Sequence, residues 1–325
     1  MDWERRCMRL CAGMLALAVL IRLWAGGVLT PLGQLLQSDE AASFLLYLHT
    51  GRVVRALPEA EGPELLVLSD VQTENMVFSA GDLNLVELSD EPGMGPDLEE
   101  LLTAPVELTL NDGQPRVLIL HSHTTESFEQ TADRYEESSA YRTLDPGHNM
   151  LALGELVAEI LESSGIGVIH DTTLHDYPSY NGSYTHAAAS TKAYLEQYPT
   201  IELILDLHRD AAETAKGQMA TKCTIGGERA AQLMFVLGTD KRLNHPDWEE
   251  NLSLALKLQV LLEKENPGIC RCLTLSKNRY NQHLGSYALL IEIGAAGNTL
   301  AEATLAAEKL AQAIIQLRYG AGSTR

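Results

Sequence analysis

His121-Ser122-His123-Thr124-Thr125-Glu126 places two imidazoles and a carboxylate within six residues. Neutral imidazole and carboxylate are the ligand types that a catalytic zinc most often takes. A carboxylate beside such a metal also serves as a general base. Further polar groups stand in similar settings: His170-Asp171, His208-Arg209-Asp210, and Glu292 inside Leu289-Leu290-Ile291-Glu292-Ile293. An acid in so apolar a run cannot stay ionised and unpaired in a dry core. It needs a cation, a metal or a water that it polarises, and a general base at a zinc site meets all three demands.

The elements that must position these groups follow from periodicity. Val117–Leu120, Ile166–Ile169, Ile201–Asp206, Leu233–Leu237 and Tyr287–Ile293 are short apolar runs that read as strands. Met150–Ser163, His186–Tyr198 and Glu249–Glu263 carry helical spacing, and Gly165 is placed to end the first of them. Thr299-x-x-Glu302 is a capping box opening a last helix. The alternation predicts an α/β domain over 114–325, a mostly parallel sheet with helices on both faces. In such a sheet the strand C-termini share one edge, where binding sites collect. His123, Glu126, His170, His208 and Glu292 therefore converge on one rim.

Simpler readings compete. A histidine after a strand is more often a hydrogen-bonded rim residue than a ligand, and His170 is read here as substrate-facing rather than metal-binding. Alternate residues of an extended chain face opposite sides, so His121 should point away from His123, yet it stays a rival ligand. Glu126 could merely cap the next turn, and His148, in Asp145-Pro146-Gly147-His148, is another candidate for the third ligand. His245 and His283 read as substrate-loop or surface residues.

The chain has 325 residues and a formal charge of −20. That balance argues against nucleic acid, which needs a basic face. Arg5, Arg6 and Arg9 precede a 20-residue segment, Leu10 to Leu29, apolar or small except for Arg22 and about the length that crosses a bilayer. Residues 1–30 are expected to be an uncleaved membrane anchor, with a cleaved signal peptide as the alternative. Either places the remainder outside the cytoplasm. Residues 31–113 read as a helical stretch followed by an acidic linker with Pro58, Pro63, Pro92, Pro96 and Pro105. Of five cysteines, Cys223, Cys270 and Cys272 lie beyond the apolar segment, allowing one bridge at most.

Leu118-Ile119-Leu120-His121-Ser122-His123-Thr124-Thr125-Glu126-Ser127 resembles the opening motif of the stage II sporulation protein P family. Gly167 to Asp171, Tyr180 to Tyr184, Asp206 to Ala211, Tyr280 to His283, Leu290 to Gly294 and Asn298 to Leu300 continue the resemblance in order, over about 116–317. The family is similar to zinc-dependent N-acetylmuramoyl-L-alanine amidases with a phosphorylase/hydrolase-like fold. The resemblance implies cleavage of the amide between N-acetylmuramic acid and the first L-Ala of peptidoglycan stems, with endopeptidase activity also in reach. It implies Zn²⁺ held by His123, His208 and a glutamate, for which Glu126 stands first and His148 second. It implies Glu292 as the base, with Arg209 steadying developing charge or binding a stem-peptide carboxylate. Tyr280 and Asn281 are candidates for contacting glycan or stem peptide. By resemblance the partners would be a lytic transglycosylase and stage II sporulation proteins D and M, in the intermembrane space of a sporangium. A non-catalytic cell-wall-binding module and a metallocarboxypeptidase-like hydrolase are the alternatives.

Overall fold

In the computed structural model, the described residues are 77–320, apart from 111, 133, 139, 215 and 216. The expected membrane segment and the helical stretch 31–54 lie outside the described residues. Among the described residues, no helix is long and apolar enough to cross a membrane.

The run Val117–Leu120 is buried on both sides, the signature of a central parallel strand. It belongs to β2 (Pro115–Leu120), which lies between β3 (Gly167–His170) and β4 (Leu203–Asp210) and is parallel to both. β11 (Ala288–Ala295) runs parallel to β4 and antiparallel to β9 (Leu233–Gly238). β10 (Leu273–Ser276) and β1 (Leu88–Asp90) complete seven strands in the order β1-β10-β9-β11-β4-β2-β3. The sheet is thus mostly parallel, with one antiparallel seam.

Alternation along the strands decides what lies on each face. Val117, Ile119, Leu203, Leu205, Leu207, Leu289, Ile291 and Ile293 join one large core. That core includes side chains of α1 (Leu98–Thr103), α2 (Met150–Ser163), α4 (Trp248–Glu265) and α5 (Leu300–Gly320). Leu118, Leu120, Ile204 and Ala288 point the other way, onto a smaller core with Ala187 of α3 (Ser183–Gln197). Helices therefore cover both faces. Asp206, His208 and Glu292 continue the α3 side of the alternation, so the polar rim belongs to that face.

Local signals behave as their chemistry requires. Gly165 takes φ +80°, and the Ile166 amide donates to the Leu161 carbonyl, closing α2. The Thr299 amide donates to Glu302 and the Glu302 amide to the Thr299 hydroxyl, each at 3.2 Å. Residues 77–104 differ from the linker reading. β1 is an edge strand of the sheet, and Leu102 of α1 is fully buried. Prolines and acids at its turns hid a segment whose leucines enter the core. The short strands β5 (Glu213–Thr214) and β6 (Gly217–Gln218) pair antiparallel, β7 (Lys222–Ile225) and β8 (Glu228–Ala231) form a hairpin around Gly226-Gly227, and β10 is also new relative to the sequence reading. Cys223, Cys270 and Cys272 are free thiols.

Candidate active site

The parallel register sets Glu292 of β11 directly beside His208 of β4. Asp206 precedes His208 by two residues and shares its face, and its carboxylate accepts from His208 Nε2 at 2.9 Å. The same carboxylate accepts from the Ser122 amide at 2.8 Å and the Ser122 hydroxyl at 2.6 Å. The loop after β2 is thereby fastened to β4. Beyond Ser122 the chain turns, with the Glu126 amide bonded to the His123 carbonyl. This turn brings Glu126 Oε2 to 3.5 Å from His208 Nδ1 and the His123 ring to 5.2 Å from the His208 ring.

Both imidazoles are oriented alike. Each has Nε2 engaged by an outer oxygen, Asp206 for His208 and the Tyr180 hydroxyl, at 3.2 Å, for His123. His208 Nδ1 faces Glu126, while His123 Nδ1 is buried with no hydrogen-bond partner. An enclosed nitrogen without a partner is costly, and outer-shell oxygens on the far nitrogen are typical of metal-binding histidines. The donor set (His123 Nδ1, His208 Nδ1, Glu126) has the chemistry of a zinc site. Among the described residues, no three His, Cys, Asp or Glu side chains form a ready-made metal cage.

Electrostatics separates the carboxylates. Burial alone would push Glu126 up, but the His208 hydrogen bond and Arg209 outweigh it and hold Glu126 down at about 2. Burial drives Glu292 the other way, to about 8, and Glu126 adds to the rise while His208 opposes it. Glu292 as a residue is half-buried, yet its Oε2 is shut off from solvent with no partner. The enclosed oxygen explains the shift. His123 is lowered to about 4, chiefly by burial. Two carboxylates with opposed shifts on one rim are the pattern of distinct acid–base assignments.

The remaining sequence candidates lie as follows. His121 faces the α2 side; its Nδ1 donates to the Leu207 carbonyl and its Nε2 lies 3.0 Å from His170 Nε2. His170 in turn contacts Glu155, so it is part of a pair beneath α2 and not a substrate-facing residue. Gly154 makes that pair possible, since a Cβ there would lie 2.4–2.5 Å from both Nε2 atoms. His148 binds Asp145 and stacks on Tyr135. Arg209 is not available to a substrate. Its guanidinium is buried and donates to the carbonyls of Ser127, Ala140 and Tyr141. It clamps the loop that carries Glu126, because buried carbonyls need donors. Asn281 donates to the Tyr184 carbonyl at 2.7 Å, and Tyr280 is 5.8 Å from the Tyr184 ring. Tyr280 and Asn281 have positive φ, 46° and 65° respectively, a conformation uncommon for side-chain-bearing residues and often found at functional sites.

Several site residues carry no assigned role in the sequence reading, although Tyr184 and Asp206 fall within the family-like blocks. Tyr184 stacks on His208 and meets His123 edge-on, and burial with Asp206, Glu126 and Glu292 nearby raises its phenol, keeping it neutral. It sits in the first turn of α3, after Gly182 at φ +91°. Arg142 bridges Asp176 and Glu126. Only Asp206 gave a usable sign, an acid two residues before a histidine on a buried strand.

Residues 69–315 match the family model for Stage II sporulation protein P (SpoIIP). The chain belongs to that family. Stage II sporulation protein P of Bacillus subtilis (strain 168) is 28% identical over 258 residues, which cover 74% of this chain and 59% of that protein. The chain therefore spans about three-fifths of the length of the curated relative it matches. Among solved structures, it is similar to the CwlD amidase from Clostridioides difficile, solved with the GerS lipoprotein. That match has 17% identity, a TM-score of 0.35 and coverage of 63% of this chain and 95% of that one. N-acetylmuramoyl-L-alanine amidase AmiC2 of Nostoc punctiforme matches with 12% identity, a TM-score of 0.38 and coverage of 64% and 96%. With such values, family membership rests on the sequence match.

Proposed function

We propose that the chain is a zinc-dependent peptidoglycan hydrolase, an N-acetylmuramoyl-L-alanine amidase that removes stem peptides during sporulation. One observation carries the reading: the unpartnered Nδ1 of His123, with Glu126 and His208, beside the enclosed Oε2 of Glu292. His123, Glu126 and His208 would hold Zn²⁺, which when bound supplies a Lewis acid next to the base. Glu292 takes a proton from the attacking water as the new C–O bond forms at the lactyl carbonyl. It returns that proton to the departing amine nitrogen as the C–N bond breaks. Tyr184, neutral and facing the same space, donates a hydrogen bond to the developing oxyanion. Asp206 and Tyr180 hold the two imidazoles in the tautomer that leaves Nδ1 for the metal.

A membrane anchor at 1–30, an extracytoplasmic location, and partnership with stage II sporulation proteins D and M belong to the same reading by family resemblance. The test is metal analysis together with muropeptide release. One zinc per chain and release of free stem peptides support it. A metal-free chain that binds cell wall without cutting would mean a binding module, and release of single terminal amino acids would mean a carboxypeptidase.

A further inference from the structure

Five large hydrophobic side chains stand exposed among the described residues, and three of them line one cavity: Leu144 (48%), Tyr177 (54%) and Tyr180 (54%). The cavity has a volume of about 730 Å³, within the range of small-molecule sites. Two of its wall residues, Tyr180 and Arg142, also touch the candidate metal site. Tyr180 bonds His123, and Arg142 contacts Glu126 at 3.3 Å while its guanidinium lies 4.7 Å from the Tyr180 ring.

The frame is built in advance. The buried Asp176 carboxylate takes Arg142, the Thr125 amide at 3.1 Å and the Thr125 hydroxyl at 2.7 Å. Glu137 is held by Ser127 and by Gln130 at 3.1 Å. These charges are satisfied within the wall. Arg134 and Glu136 are different: both are exposed, both line the cavity, and neither side chain bonds or pairs with any described residue. Among the described residues, the cavity thus offers an apolar, aromatic surface together with one free cation and one free carboxylate, two positions apart in the chain.

We propose that this cavity is the stem-peptide subsite, in which Arg134 and Glu136 read a side-chain end carrying a carboxylate and an ammonium on one carbon. The complementarity is direct: the guanidinium faces the carboxylate, the Glu136 carboxylate faces the ammonium, and the methylene stem lies along Tyr177 and Leu144. The inference rests on the peptidoglycan-hydrolase reading, and its test separates the two.

Calorimetry on the full chain, freed of metal so that nothing turns over, compares two stem tripeptides. One ends in diaminopimelate, which has both groups, and the other in L-lysine, which has the ammonium alone. Exposed charge pairs are worth a few-fold in affinity, more where a cavity sheds water. The diaminopimelate peptide is therefore expected to bind about three- to tenfold more tightly. Arg134→Ala should erase that difference, and Glu136→Gln should weaken both peptides alike. Neither side chain has a partner among the described residues, so unchanged melting temperatures show that the variants are intact. Equal binding of the two peptides, or a difference that survives Arg134→Ala, overturns the subsite. Muropeptide release by the zinc-loaded chain reports separately on the hydrolase. Release without peptide discrimination sinks only the subsite, whereas discrimination lost in Arg134→Ala without release sinks only the hydrolase reading.

Discussion

Glu292→Gln tests the base and its environment together. In the metal-free protein, burial moves the Glu292 carboxyl from 4.5 to about 8. Each pKa unit corresponds to 1.36 kcal/mol. A folded-state value above the unfolded one means that the unfolded chain releases the proton first. Ionisation then opposes folding from about pH 4.5 upward, and the opposition is complete near pH 8. At pH 7 the gap of about 2.5 units has a ceiling of about 3 kcal/mol. Solvent access to the rest of the side chain lowers the expectation to about 1–2 kcal/mol. Glutamine keeps the shape and cannot ionise. In chelator, the variant should match wild type near pH 4.5 and be more stable by about 1–2 kcal/mol at pH 7. Urea unfolding at pH 5, 6 and 7 reads the widening gap directly. In the zinc-loaded protein the same change should cost about 10²–10⁴-fold in turnover, the range for general-base loss. A variant that is less stable at pH 7, or a difference flat with pH, refutes the buried-carboxyl argument. Undiminished turnover refutes the base.

Asp206→Asn removes the anionic partner of His208 Nε2 and should weaken zinc binding by about 10–100-fold, measured by competition with a chromophoric chelator. Tyr184→Phe should keep zinc and fold while lowering turnover of muropeptides by about tenfold or more; an unaltered turnover would remove Tyr184 from the chemistry. Gly154→Ala sets a methyl 2.4–2.5 Å from the facing nitrogens of His121 and His170 and should destabilise by about 1–3 kcal/mol, read by thermal melting. A neutral result would mean that α2 can shift away from the sheet at little cost.

The sequence by itself determined the layered α/β order, because strand and helix periodicities are local. Val117–Leu120, the helix over Met150–Ser163 with its Gly165 ending, and the Thr299–Glu302 box each depend on residues a few positions apart. It also brought His123, His208 and Glu292 to one rim, since strand ends in a parallel sheet share an edge. The same two-residue alternation separated His121 from His123. What it could not determine was which atoms satisfy which. Arg209 looked like a catalytic cation next to His208, yet three carbonyls from a distant loop claim its guanidinium. His170 looked substrate-facing, yet it closes on His121 under Gly154. Tyr184, Arg142 and Asp176 matter only through contacts spanning 16 or more residues of chain, and Asp206 joins its near neighbour His208 to Ser122, 84 residues away. The strand at Leu88–Asp90 likewise has no strong local pattern and is made by pairing with Leu273–Leu275. Hydrogen-bond satisfaction in a buried site is a property of the assembled surroundings, so the tertiary structure alone decided which polar residues serve the rim and which hold it in place.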